Sequence, residues 1–100
     1  MLDLARIIGF EWDEGKARKN DKHDVSNAEA EQFFFNVPLL IATDVKHSDQ
    51  ELRLHALGIT DDGRRLQISF TVRDEGRKVR VISARDMNRK ERIIYEQQGA

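Results

Sequence analysis

Arg85, Arg89, Glu91, Arg92 and Tyr95 follow one another closely near the end of the chain, and together they supply cations and proton-exchanging groups. Glu91 and Tyr95 are four residues apart, so on a helix they share one face. A guanidinium presents a planar fork suited to phosphate oxygens. With Arg85 close by, this set would suit scission of an RNA strand by its own 2′-hydroxyl. One group would take the 2′-OH proton, an arginine would neutralise charge building on the phosphoryl oxygens, and another group would protonate the departing 5′ oxygen. Each oriented donor would be worth about 3 to 4 kcal/mol in the transition state, and proton transfer roughly 10² to 10⁴ in rate. The scheme needs no metal ion. The plainer account of the same residues is a helix surface laced by ion pairs between Glu91 and nearby arginines.

Histidine titrates near neutrality and serves as acid, base or ligand. His23, His47 and His55 have no metal-ligand spacing, and Asp44 with His47 is only a weak local pair, so no metal site is expected. His23, one residue after Lys22, either complements a helix dipole or takes part in catalysis. His47 sits in a polar stretch as a loop organiser or a base. The chain has no nucleophile elbow, Walker A loop or Gly-rich dinucleotide fingerprint, which disfavours serine hydrolases, ATPases and oxidoreductases. No cofactor is expected. The absence of cysteine removes disulfides, thiol nucleophiles and Cys-based zinc sites, and fits a reducing compartment. The longest apolar run, Val37 to Ala42, falls far short of the about 18 to 20 residues of a spanning helix, and no secretory leader opens the chain. The expectation is a soluble cytoplasmic protein that does not engage a membrane.

Charge is distributed unevenly along the 100 residues. The net charge of −1 conceals a first half at −4 and a second half at +3. From Arg64 to Arg92 ten basic residues face four acidic ones, a local +6 made mostly of arginine. An Arg-rich stretch favours nucleic acid; the alternative is a well-solvated charged face.

These residues must be positioned by a single domain spanning residues 1–100, since the chain can build only one core. Residues 1–9 read as a short leader or an edge strand. Asp13 and the cations that follow it predict a helix over about 14–23. Ser26 with Glu29 forms a capping box and Val25 with Ala30 a hydrophobic staple, so a second helix starts there. Ala30, Phe33 and Phe34 mark its buried stripe, and it stops before Pro38. Leu39 to Thr43 reads as a short strand. Leu52, Leu54 and Ala56 alternate with Arg53, His55 and Leu57, and Leu66 to Val72 alternate likewise. Asp62-Gly63 and Asp74-Glu75-Gly76 provide turns, and Lys78 to Ala84 a fourth strand. Asn88 with Glu91 opens a last helix. The expected architecture is α+β: two N-terminal helices, a four-stranded antiparallel meander and a C-terminal helix. Strand parity leaves Arg65, Gln67, Ser69, Thr71 and Arg73 on one open polar face, a shallow groove for a polyanion.

The order of several short motifs resembles the BrnT toxins of bacterial type II toxin–antitoxin modules. They are Phe10-Glu11-Trp12-Asp13 with Lys16 and Asn20; Lys22-His23 and Val25-Ser26; Asp44, His47-Ser48, Glu51 and Arg53; Gly58 and Asp62-Gly63-Arg64. The series ends with Arg80, Ile82-Ser83-Ala84-Arg85, Arg89, Glu91-Arg92 and Tyr95-Glu96. The resemblance covers residues 10–96 and implies a metal-independent endoribonuclease with a RelE-like fold. It further implies neutralisation by a cognate BrnA-type antitoxin in a heterotetramer, with operator DNA bound only through that antitoxin. Carried over by position, it nominates His23, Arg53, Arg85, Glu91 and Tyr95 as catalytic residues. Lys22, Arg64, Arg80, Arg89 and Arg92 become RNA phosphate contacts. Arg85 would stabilise charge, Glu91 or His23 act as base and Tyr95 as orienter or acid. Asp24 stands where the family usually has glycine after Lys-His. A noncatalytic module that only binds the antitoxin or nucleic acid is the second reading.

Overall fold

Ser26 sets the first helix. Its Oγ accepts from the Glu29 N–H at 3.1 Å while Glu29 Oε1 accepts from the Ser26 N–H at 3.1 Å, the reciprocal bonds of a capping box. The helix α1 (Asn27–Phe35) ends at Asn36, whose backbone is extended ahead of Val37 and Pro38. Asn36 Nδ2 then donates to the Ile59 carbonyl and to Asp61 Oδ1, both at 2.9 Å, which ties the end of α1 to a strand turn.

The computed structural model describes residues 4–12, 25–43 and 52–99. Beside α1 they contain a 3-10 turn at Leu4–Arg6, β1 (Gly9–Trp12), β2 (Leu40–Thr43), β3 (Arg53–Ile59), β4 (Arg65–Arg73), β5 (Lys78–Asp86) and α2 (Arg89–Gly99). The strands form one sheet in the order β1-β5-β4-β3-β2, antiparallel except for the parallel pair β1 and β5. The turn after β3 uses Gly63 at φ 86°, where a glycine is at ease.

One face of the sheet is the core. Ala30, Phe33 and Phe34, at helical spacing, bury against Leu54, Ala56, Leu66, Ile68, Phe70, Val79, Val81 and Ala84. Phe34 meets Phe70 edge-on at 5.0 Å, a favoured aromatic geometry. Gly58 makes the approach of α1 to β3 possible: a Cβ there would lie 2.7 Å from Phe33 Cε2.

This architecture corrects the expected fold class. The sheet is mixed and five-stranded, not a four-stranded antiparallel meander, because residues 9–12 pair in parallel with β5. A parallel partner needs no hairpin, so no turn signal marks it in the sequence, and four residues are too few for alternation to stand out. Among the described residues one α-helix, not two, precedes the antiparallel run, and one follows it. The helix expected over 14–23 lies outside the described residues, as do Lys22, His23 and His47.

A β-bulge in β5 decides what the second face displays. Ser69 pairs with Ser83 but Phe70 pairs with Val81, so Ile82 is an extra residue. Before it, Val79 and Val81 face the core; after it, Ala84 does. A bulge re-aims the side chains beyond it. Without it Arg85 would share the core-facing parity of Val79 and Val81. With it, Arg85 joins Gln67, Ser69, Thr71 and Arg80 on the opposite face. That face is less open than parity predicts: Gln67, Ser69 and Thr71 are buried. The helix α2 returns against β3, with Met87 and Tyr95 buried.

Candidate active site

Two cross-strand rows meet beside α2. Leu40, Leu57, Gln67 and Arg85 form one row, and Ala42, His55, Ser69 and Ser83 the next. Leu40, Leu57, Gln67 and Arg85 of the first row and Ala42 and His55 of the second line a cleft of about 420 Å³ with Glu91 and Ile94 from α2. A larger cavity of about 630 Å³, lined by Leu39, Ile41, Leu54, Val72 and Gly76 among others, has no titratable side chain in its described lining. The smaller cleft holds titratable side chains, His55, Arg85 and Glu91.

Glu91 is fixed by its place in α2. Asn88 Oδ1 accepts from the Glu91 N–H at 2.8 Å and Glu91 Oε1 accepts from the Asn88 N–H at 2.9 Å, a second capping box. The same carboxylate receives Arg85 end-on, Nη1 to Oε1 at 2.7 Å and Nη2 to Oε2 at 2.9 Å. Arg85 Nη1 also donates to the Asp86 carbonyl at 3.1 Å. A guanidinium carries five N–H donors. Three are used here, and the two left, Nε–H and the second Nη2–H, form the side-on edge of the fork. The Arg85 side chain is 37% exposed against 19% for Glu91. Burial alone pushes the Glu91 carboxyl up, but hydrogen bonds from Arg85 and the Asn88 N–H, with the charges of Arg85 and His55, bring it below the usual carboxylate value. Arg85 is raised, chiefly by its hydrogen bonds to Glu91, against the opposing effect of burial.

His55 is the site residue that sequence reasoning did not nominate. Its Nδ1 lies 2.8 Å from Ser69 Oγ and 3.0 Å from Gln67 Nε2. The signal present in the sequence was strand parity, which put His55 on the polar side of β3; its partners appear only through the register of β3 on β4.

The other nominated residues divide. Tyr95 is 5% exposed and its hydroxyl donates to the Pro38 carbonyl at 2.6 Å, so it pins α2 to the chain entering β2. Burial raises its pKa, with Arg65 opposing. Arg64 clamps two elements: Nε and Nη2 fork onto Asp86 at 2.7 and 3.1 Å, and Nη1 reaches Glu29 Oε2 at 3.3 Å. Those bonds raise its pKa, led by Asp86. Arg53 and Arg80 flank Thr71 in a third row across the same face as His55 and Arg85. Arg89 and Arg92 are exposed on α2. Lys22 and His23 lie outside the described residues. Among the described residues no three His, Asp or Glu side chains gather into a metal-binding group, and no helix is long and apolar enough to cross a membrane.

Among the described residues of this small α+β domain, the cleft joins an oriented arginine, a carboxylate and an imidazole. Residues 12–91 match the ribonuclease toxins, BrnT, of type II toxin–antitoxin systems, and the chain belongs to that family. Its fold is similar to that in the crystal structure of the Brucella abortus ribonuclease toxin BrnT, at a TM-score of 0.56 and 22% identity, covering 82% of this chain and 99% of that one. No curated protein sequence matches the chain.

Proposed function

We propose that this chain is the toxin of its module: a metal-independent endoribonuclease that cleaves RNA by 2′-OH attack and so arrests growth in the cytoplasm. The observation that carries this reading is the division of labour on Arg85. Glu91 takes the end-on edge of the guanidinium and thereby orients it, while the side-on edge remains for two phosphoryl oxygens. An oriented donor pair stabilises charge in the transition state without reorganising when that charge develops. Glu91 is a positioning residue in this scheme, and Tyr95 positions α2. Arg53 and Arg80 extend the cationic face along the RNA backbone, and Arg89 and Arg92 extend it over α2. His23 and Lys22 enter only through the family pattern. Kinship with RelE-like nucleases, a BrnA-type antitoxin, a heterotetrameric complex and operator binding through that antitoxin belong to the same proposal.

The test is purified protein with RNA in excess chelator. Expected products end in a 2′,3′-cyclic phosphate and begin with a 5′-hydroxyl, and a 2′-deoxy residue at the cleavage position abolishes them. Arg85→Ala should lower the rate by about 10² to 10³. Tight RNA binding with no cleavage would support the noncatalytic module, which is favoured by the neutralisation of Arg85 by Glu91 in the free chain. Cleavage that appears only when a divalent ion is restored would overturn metal independence.

A further inference from the structure

We infer that the cleft reads a base beside the scissile phosphate and favours one that carries an exocyclic amino group, an inference that rests on the proposed RNA-cleaving reading. The row Leu40, Leu57, Gln67 and Arg85 crosses four strands, one residue from each. Neighbouring strands lie about 5 Å apart. With a phosphate on Arg85 at one end of the row, Gln67 lies one strand over, where the ribose places its base. Further along, the lining turns apolar, with Leu57 and Leu40 from the strands and Ile94 from α2. An apolar wall interrupted by a single well-placed polar group is the usual build of a small-ligand site, and about 420 Å³ is within the usual size.

Gln67 supplies that polar group. It is only 7% exposed, yet it lines the cleft. Its Nε2 is engaged on the sheet side, 3.0 Å from His55 Nδ1 and 3.5 Å from Ser69 Oγ. Nδ1 as acceptor takes this N–H, which leaves the oxygen as the outward arm of the amide. Among the described residues Oε1 accepts no hydrogen bond. Nor is it shut away in the interior, so the cleft is where its donor comes from. His55 and Ser69 act here as positioning residues, because they fix which end of the amide a ligand meets.

An acceptor held in this way selects by what it repels as much as by what it binds. Adenine, cytosine and guanine each carry an amino group that donates to Oε1. Uracil carries carbonyl oxygens instead, and an acceptor set against an acceptor loses the bond and keeps the cost of dehydrating both. The leucine and isoleucine wall meets the flat face of any base alike, so it adds affinity without choosing among them.

The experiment is cleavage by the full chain of a randomised RNA, then of short oligonucleotides varied at the two bases flanking the bond that is cut. At one flanking position an amino-bearing base should exceed uracil by roughly 10- to 100-fold in kcat/KM. Replacing the favoured base by the analogue that lacks only the amino group should cost a similar factor: purine for adenine, hypoxanthine for guanine, 2-pyrimidinone for cytosine. Gln67→Met, which keeps the length without the oxygen, should bring the ratio between the favoured base and uracil close to one. A merely structural role would slow every substrate by the same factor and keep the ratio. Ile94→Ala should raise KM for all bases and leave the ratio as it is. The analogue series uses the unaltered protein, so it decides the matter even where Gln67→Met fails to fold. If wild type cleaves no RNA, the functional reading falls and takes this inference with it. If wild type cleaves without regard to the flanking bases, prefers uracil, or keeps its ratio in folded Gln67→Met, base reading by Gln67 alone is overturned.

Discussion

Glu91→Gln separates charge from shape at the site. The carboxylate accepts three hydrogen bonds: 2.7 and 2.9 Å from the two Nη groups of Arg85, and 2.9 Å from the Asn88 N–H. An amide of equal length keeps one oxygen for Asn88 and Arg85 Nη1 but turns an NH₂ toward Arg85 Nη2, where donor meets donor. One charge-assisted bond is lost and another weakened. Discounted for the exposure of the Arg85 side chain, the expected destabilisation is about 1 to 2 kcal/mol at neutral pH. Each kcal/mol moves the melting midpoint of a domain this size by roughly 4 to 8 °C. The pH dependence has a definite sign. The folded carboxyl sits below its unfolded value, so its contribution is complete above the unfolded pKa and disappears as pH falls through the folded one. The gap between wild type and Glu91→Gln should therefore be whole near neutrality and close in acid, as pH falls below the ordinary carboxylate range and the folded carboxyl protonates. Urea unfolding followed by circular dichroism across that range measures it. In cleavage, Glu91→Gln should lose less than Arg85→Ala. A stability gap that ignores pH, or a loss of activity matching that of Arg85→Ala, would refute the reasoning; the second result would give Glu91 a direct part in the chemistry rather than a positioning one.

Three further substitutions test the supporting structure. Tyr95→Phe leaves the Pro38 carbonyl without its phenol donor and should cost about 1 kcal/mol; thermal melting reads the loss. Gly58→Ala places a methyl 2.7 Å from the Phe33 ring and should destabilise by about 1 to 3 kcal/mol; an unchanged melting midpoint would show that α1 lifts off β3 freely. Arg64→Gln should lower stability but leave the salt slope of RNA binding intact, since its fork is held by Asp86 and Glu29. Arg89→Gln, exposed on α2, should instead flatten that slope by about one phosphate contact.

The parts of this fold that were legible from sequence are those whose causes are local. Ser26 with Glu29, Asn88 with Glu91 and the stripe Ala30, Phe33 and Phe34 each act within one helical turn, and the structure has all three. What escaped is set by partners distant in sequence. The parallel pairing of Phe10-Glu11-Trp12 depends on β5, some seventy residues on, and Arg85 owes its face to one extra residue at Ile82. His55 looked like an unremarkable strand residue until the register set it beside Ser69. The local charge of +6 gives only part of the account, because counting cations ignores which of them the fold employs. Arg64, Arg65, Arg77, Lys78 and Arg85 are all paired with carboxylates, two of which, Glu29 and Glu11, come from the acidic first half. The two halves of opposite charge are thus partly complementary surfaces of one core. Arg85 is both spent and available: Glu91 neutralises its charge at long range but leaves the side-on edge. The site should accordingly recognise a phosphodiester by short-range geometry more than by its field, and a shallow salt dependence of kcat beside a steep one for binding would be the signature.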